Sequence, residues 1–125
     1  EGLRSLTLKG KEGAEMIQRL LASFRSEPLK NLGFMNTLAS EDYQTSIRVT
    51  KDDEQVIQMP KSNVLKYIFE DGSWVCLRPS GTEPKVKFYF GVNSSSLAES
   101  KQKLQTIEKD FMELVDKKVK MVQMK

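Results

Sequence analysis

One short run of this sequence is dense in hydrogen-bond donors. Within Arg78-Pro-Ser-Gly-Thr-Glu-Pro-Lys-Val-Lys87, a guanidinium, two hydroxyls and a glycine amide fall inside five residues. The Arg78 guanidinium is a planar fork of N–H groups that matches two oxygens of a phosphate. Ser80 and Thr82 each bring a hydroxyl. Gly81 has no side chain, so its amide and that of Thr82 can approach an anion closely. Pro79 and Pro84 fix φ on either side and lower the entropy lost when the loop orders. Lys87 lies two residues into the next predicted strand, on the face opposite Val86 and Phe88, where a cation adds a point charge. Glu83 would repel a phosphate, so it is expected to point away and hold the loop's shape. The competing reading is an ordinary solvated turn, since Ser, Gly, Thr and Pro are common turn residues. Donor density favours an anion site, and the phosphate of a small molecule is the expected ligand.

The elements around this loop follow from periodicity. Leu6 and Leu8 alternate with Thr7 and Lys9 as a strand would, and Gly10 breaks the pattern. From Lys11 to Ser26, Met16, Ile17, Leu20, Leu21 and Phe24 recur at helical spacing, and Pro28 stops the helix. Phe34 to Tyr43 reads as an irregular strand. Ile47–Val49 and Val56–Ile57 flank a polar turn at 51–54, a small hairpin. Val64 to Phe69 and Trp74 to Leu77 flank Asp71-Gly72, a stronger hairpin signal. Val86, Phe88, Phe90 and Val92 alternate with Lys87, Tyr89 and Gly91. Ser96 and Glu99 have capping-box spacing for a last helix. Its expected buried stripe is Leu97, Leu104, Ile107, Phe111, Leu114 and Val115, and residues 117–125 are expected to fray. The expected class is α+β, with two helices on one face of a mainly antiparallel sheet.

Composition narrows the function. The chain has 125 residues, 38% hydrophobic and 30% charged, which fits a single domain at 1–125. There is no histidine, so the commonest general base and metal ligand are missing. No catalytic residue and no metal site are expected in this chain. The single cysteine, Cys76, excludes an internal disulfide framework and is expected to be a buried, inert thiol. The net charge of +3 is modest and the charges are mixed, so no long basic stripe for nucleic acid is expected. No apolar run approaches the ~20 residues of a membrane span, and no signal segment opens the chain, so a cytoplasmic location is expected. The chain opens on Glu1 and not on Met, which fits a piece of a larger protein and fits processing equally.

The string Arg78-Pro-Ser-Gly-Thr-Glu-Pro-Lys-Val-Lys87-Phe-Tyr89 closely resembles the signature of the C-terminal domain of the α-D-phosphohexomutases, which include phosphoglucomutases, phosphomannomutases and phosphoglucosamine mutases. Leu8-Lys-Gly-Lys-Glu-Gly13, a helix ending in Phe24-Arg25, the Asp42-Tyr43 pair and the stretch from Met59-Pro to Val64-Leu65 resemble the family too. The resemblance implies a small α+β domain of the TATA-binding-protein-like class, in the order β-α-β-β-β-β-α, last of four in a larger enzyme. The shared fold name implies no DNA binding. A phosphoserine on the first domain would exchange a phosphoryl group with a hexose phosphate, glucose 1-phosphate or glucose 6-phosphate being favoured. Magnesium would be held by the second domain, and a sugar-recognition loop would lie on the third. The fourth would hold the phosphate that is not reacting, through Arg78, Ser80, Gly81 and Thr82, with Lys87 assisting. The partners implied are the hexose phosphate and the enzyme's other domains, with no nucleic acid and no membrane. Nothing here matches the phosphoserine loop or the magnesium aspartates, so the isolated chain is expected to be inactive. The alternative classes are a nucleic-acid-binding module, given Phe88, Tyr89 and Phe90, or a purely structural α+β module.

Overall fold

A computed structural model describes residues 2–7, 12–33, 35–80, 83–93 and 96–123, without the side chains of residues 2–6 and 123. Strand alternation and helix periodicity meet in one two-layer arrangement. Strand β1 (Gly2–Thr7) leads to helix α1 (Gly13–Ser26), then to β2 (Asn31–Leu32), β3 (Met35–Asp42), β4 (Ile47–Thr50), β5 (Glu54–Val56), β6 (Leu65–Phe69), β7 (Trp74–Pro79), β8 (Lys85–Gly91) and helix α2 (Leu97–Gln123). The sheet runs β1-β8-β7-β6-β3-β4-β5, with β2 paired to β3. Every strand pair among the described residues is antiparallel. The expected strand, helix, strands, helix order therefore holds. The β4–β5 hairpin extends the far edge, and β2 is a short addition.

Successive side chains on a strand point to opposite faces, and here one face is dry. Leu65, Tyr67 and Phe69 of β6, Val75 and Leu77 of β7, and Val86, Phe88 and Phe90 of β8 are all buried. They meet Ile17, Leu20, Leu21 and Phe24 of α1 and Ile107, Phe111, Val115 and Val119 of α2 in a single cluster. The Phe111 ring is its centre, stacked on Phe24 at 5.6 Å and edge-on to Phe88 at 5.7 Å and Phe90 at 5.9 Å. Phe88 and Phe90 are thus core residues, and of the three aromatics only Tyr89 stands on the open face. The Tyr67 hydroxyl satisfies itself in the core by donating to the Phe24 carbonyl at 3.2 Å. Burial pushes its pKa well above the usual tyrosine value.

Two sequence expectations for α2 fail. Leu97, placed in the buried stripe, is 77% exposed. The end expected to fray instead continues the helix to Gln123, with Val119 and Val122 buried. Those two lie four and seven residues after Val115, so they extend the same stripe. At the start of α2 the Ser96 hydroxyl accepts the Glu99 amide at 3.1 Å, as the capping spacing predicts.

Local turns follow their residues. Gly72 takes φ +88 in the β6–β7 turn, a conformation glycine tolerates. Asp71 closes that turn by accepting the Ser73 amide at 2.9 Å and pairs with Lys103 of α2 at 3.5 Å. Partial burial opposes ionisation of Asp71, yet Ser73 and Lys103 outweigh it and hold the carboxyl below its usual range. Strand β3 is irregular as expected, with its register shifting between Thr37 and Ala39. The end of α1 is tied to β3 by a bidentate pair, in which Arg25 donates to both carboxylate oxygens of Asp42 at 3.0 and 3.2 Å.

On the open face, Trp74 pairs with Gly91 across β7 and β8. A Cβ on Gly91 would lie 2.2 Å from the indole Nε1, so the glycine leaves room for the ring to lie against the backbone. The Lys66 ammonium sits over the indole, 4.8 Å from the ring centre. Gly91→Ala is therefore expected to displace Trp74 and cost about 1–3 kcal/mol. Trp74 is the only tryptophan, so its fluorescence and a denaturation midpoint read the change together. An unchanged spectrum and midpoint would show that the close packing is not tight.

Candidate functional site

Strands β7 and β8 form a hairpin whose tip is the donor-rich loop. Its closing pair is Ser80 and Lys85, whose backbone bond runs from the Ser80 amide to the Lys85 carbonyl at 2.8 Å. Inside the loop the Ser80 hydroxyl accepts the Glu83 amide at 3.3 Å, and the Lys85 amide donates to the Glu83 carbonyl at 2.8 Å. Ser80 thus braces the turn, and Glu83 shapes it through its backbone. Gly81 and Thr82 lie outside the described residues.

The hairpin's register decides where the cations stand. Pro79 pairs with Val86 and Arg78 pairs with Lys87. Val86 and Leu77 face the core, so Arg78 and Lys87 both project from the open face, directly opposite each other. Both side chains are exposed. Neither has a hydrogen-bond or ion-pair partner among the described residues. Like charges placed opposite each other on a sheet are destabilising. An anion between them would turn that repulsion into attraction. The structure thus brings together Arg78, Lys87 and Ser80 of the expected site.

Beside this pair the open face carries a groove of ≈ 470 Å³. Cys76 lies in its floor, opposite Tyr89 on one side and Lys66 on the other. The thiol is half-buried on the open face, not in the core as its apolar neighbours suggested. Val75 and Leu77 take the inward positions, and alternation sends Cys76 the other way. Burial raises its pKa, offset in part by Lys66 and Arg78, so it is predominantly a neutral thiol at neutral pH. Tyr43, at the groove's rim, donates its hydroxyl to Glu41 at 2.8 Å, and burial and that carboxylate push its pKa up to about 12. Arg48 lies 3.6 Å from the same carboxylate.

Reading residues one at a time missed the facing of Arg78 and Lys87. The signal was present, since a Ser80–Lys85 closing pair places Arg78 opposite Lys87 two residues along each strand. The groove had no such signal, because Tyr43, Met59 and Pro60 reach it from distant parts of the chain.

A helix-backed antiparallel sheet with a cationic hairpin on its open face defines the structural class. Residues 29–113 match the family described as phosphoglucomutase/phosphomannomutase, C-terminal domain. The chain is also 39% identical over 104 residues to a phosphoglucomutase from a bovine strain of Staphylococcus aureus, and equally so to that of strain COL. Each match covers 82% of this chain and 19% of the relative's length. The chain belongs to the phosphoglucomutase/phosphomannomutase C-terminal-domain family. It spans about a fifth of the length of these relatives. None of the helices among the described residues is long and apolar enough to cross a membrane.

Proposed function

We propose that this domain, within a longer four-domain phosphohexomutase, holds the phosphate of a hexose phosphate that is not reacting. Glucose 1-phosphate and glucose 6-phosphate are the favoured substrates, because the relatives at 39% identity are phosphoglucomutases. The observation that carries the reading is the exposed, opposed pair Arg78 and Lys87 at the foot of the Ser80–Lys85 hairpin. Ser80, Gly81 and Thr82 supply donors at the tip, and the Arg78 fork and Lys87 charge supply the electrostatic grip. A holding site of this kind recognises the phosphate and not a particular hydroxyl, which suits a bisphosphorylated intermediate that presents its two ends in turn. Binding energy at the remote phosphate then orients the reacting end. Bond making belongs to other domains, as does the magnesium. Among the described residues no three carboxylate or thiol side chains gather as ligands, and the proposed role needs none from this chain.

Titrating the 125-residue chain with inorganic phosphate tests the site. Amide shifts are expected to centre on Ser80 to Thr82, with weak affinity, since most of the cleft is missing. The same chain given glucose 1-phosphate is expected to show no mutase turnover. Shifts centred elsewhere would sink the loop assignment, and turnover by the isolated chain would sink the division of labour.

A further inference from the structure

We infer that the open face of the sheet docks an acidic surface from the rest of the same longer polypeptide, with apolar side chains of that surface entering the groove and a carboxylate meeting Lys66. The inference takes from the reading above only that this chain is one domain of a longer enzyme, as its share of the relatives' length, about a fifth, supports. An antiparallel sheet commonly leaves one face to water, so a bare face by itself carries nothing. The composition of this one does. The groove of ≈ 470 Å³ is lined in part by Tyr43, Met59, Trp74, Arg78 and Tyr89. Tyr, Met, Trp and Arg are the residue types enriched where protein surfaces meet. Met59 is 61% exposed, and Trp74 and Tyr89 are half-buried.

Charge selects the occupant. Across strands β3 to β8, register and alternation put Arg48, Lys66, Arg78, Lys85 and Lys87 on this face against a single carboxylate, Glu41. That surplus exceeds the +3 of the whole chain. Glu41 is already engaged by Tyr43 and Arg48. An acidic surface therefore complements this face. A second copy set face to face would oppose cation to cation. A nucleic-acid strand needs successive rings to stack on, whereas Trp74 is packed against Gly91 with Lys66 over it. Interfaces between domains of one chain are more polar than those of obligate dimers. Tethering also gives the two surfaces a high effective concentration, so a mixed polar and apolar face is enough.

The test compares the 125-residue chain with the longer enzyme by hydrogen peroxide oxidation of methionine, read by peptide mass spectrometry. Met59 is expected to oxidise about 5-fold more slowly in the longer enzyme, where the docked surface covers it. Met121, 59% exposed on α2, is the internal control and should oxidise equally in both. Lys66→Gln in the longer enzyme should return Met59 toward the rate of the isolated chain, and added salt should do the same without any substitution. An unchanged Met121 rate shows that the variant is folded. Equal Met59 rates in the chain and the longer enzyme would overturn the docking, and so would equal protection of Met59 and Met121. Protection that neither Lys66→Gln nor salt reduces would overturn the acidic partner. Protection that grows with concentration in the isolated chain would overturn the proposal in favour of a second copy. Phosphate titration of the isolated chain reads the hairpin without this contact, so either reading can fail alone.

Discussion

Phe111→Ala is expected to cost this domain about 3–5 kcal/mol. Phe111 is fully buried and touches three other aromatic rings, from α1 and from β8. Its removal takes away the transfer energy of the ring and leaves a cavity between both helices and the sheet. Neighbours held on two other elements, α1 and β8, cannot all collapse into one hole, so relaxation is limited. Total stability for a domain of this kind is roughly 5–15 kcal/mol, so the variant keeps little margin. Urea denaturation should show the midpoint falling by about 2 M, with the slope unchanged. Leu97→Ala is the matched control on the same helix. It is 77% exposed and should move stability by less than about 0.5 kcal/mol. A loss below about 1 kcal/mol for Phe111→Ala would mean that the three-ring contact is not the centre of the core.

Arg78→Ala should separate function from stability. On the proposed reading it would remove from the longer enzyme a charge-assisted contact worth about 1.5–3 kcal/mol. That corresponds to about a 10- to 150-fold fall in kcat/KM. Arg78→Lys keeps the charge and loses the fork, so it should recover only part of the loss. In the isolated chain the sign reverses. Arg78 stands opposite Lys87 with no acid paired to it among the described residues. Removing one of two facing like charges should raise stability by about 0.2–1 kcal/mol, an effect that added salt screens. Sites that hold ligands commonly give up stability in this way. Steady-state kinetics of the enzyme and a denaturation midpoint of the chain check the two halves. Unchanged kinetics would remove Arg78 from the site. A destabilised chain would mean that Arg78 is a structural residue.

The sequence resemblance named Phe24-Arg25 and Asp42-Tyr43 as separate fragments. In the fold they meet, since Arg25 holds Asp42 and Tyr43 holds Glu41 over the open face. Arg25 and Asp42 thus form a clamp between α1 and β3, with both side chains about four-fifths buried. Both residues support the scaffold, a role that spacing along the chain does not carry.

Local pattern determined much of this protein. Alternation along β8 settled which of Val86, Lys87, Phe88, Tyr89 and Phe90 face inward, because a strand has a period of two. Helical spacing settled Ile17, Leu20, Leu21 and Phe24 for the same kind of reason. The donor-rich loop was legible as a turn between two strands, because Pro, Ser, Gly and Thr are turn residues and apolar alternation flanks them. What the tertiary structure decided depends on partners distant in sequence. Leu97 in the first turn of α2 is 77% exposed, whereas Val119 and Val122 near its end are buried, because what covers a stripe is supplied by other elements. The loop was a row of donors when read along the chain. The hairpin register placed two cations, unpaired among the described residues, face to face beneath it, and the loop over 57–64 added the wall of a groove beside them. Periodicity is a property of one segment, whereas register and coverage are properties of two segments brought together by folding.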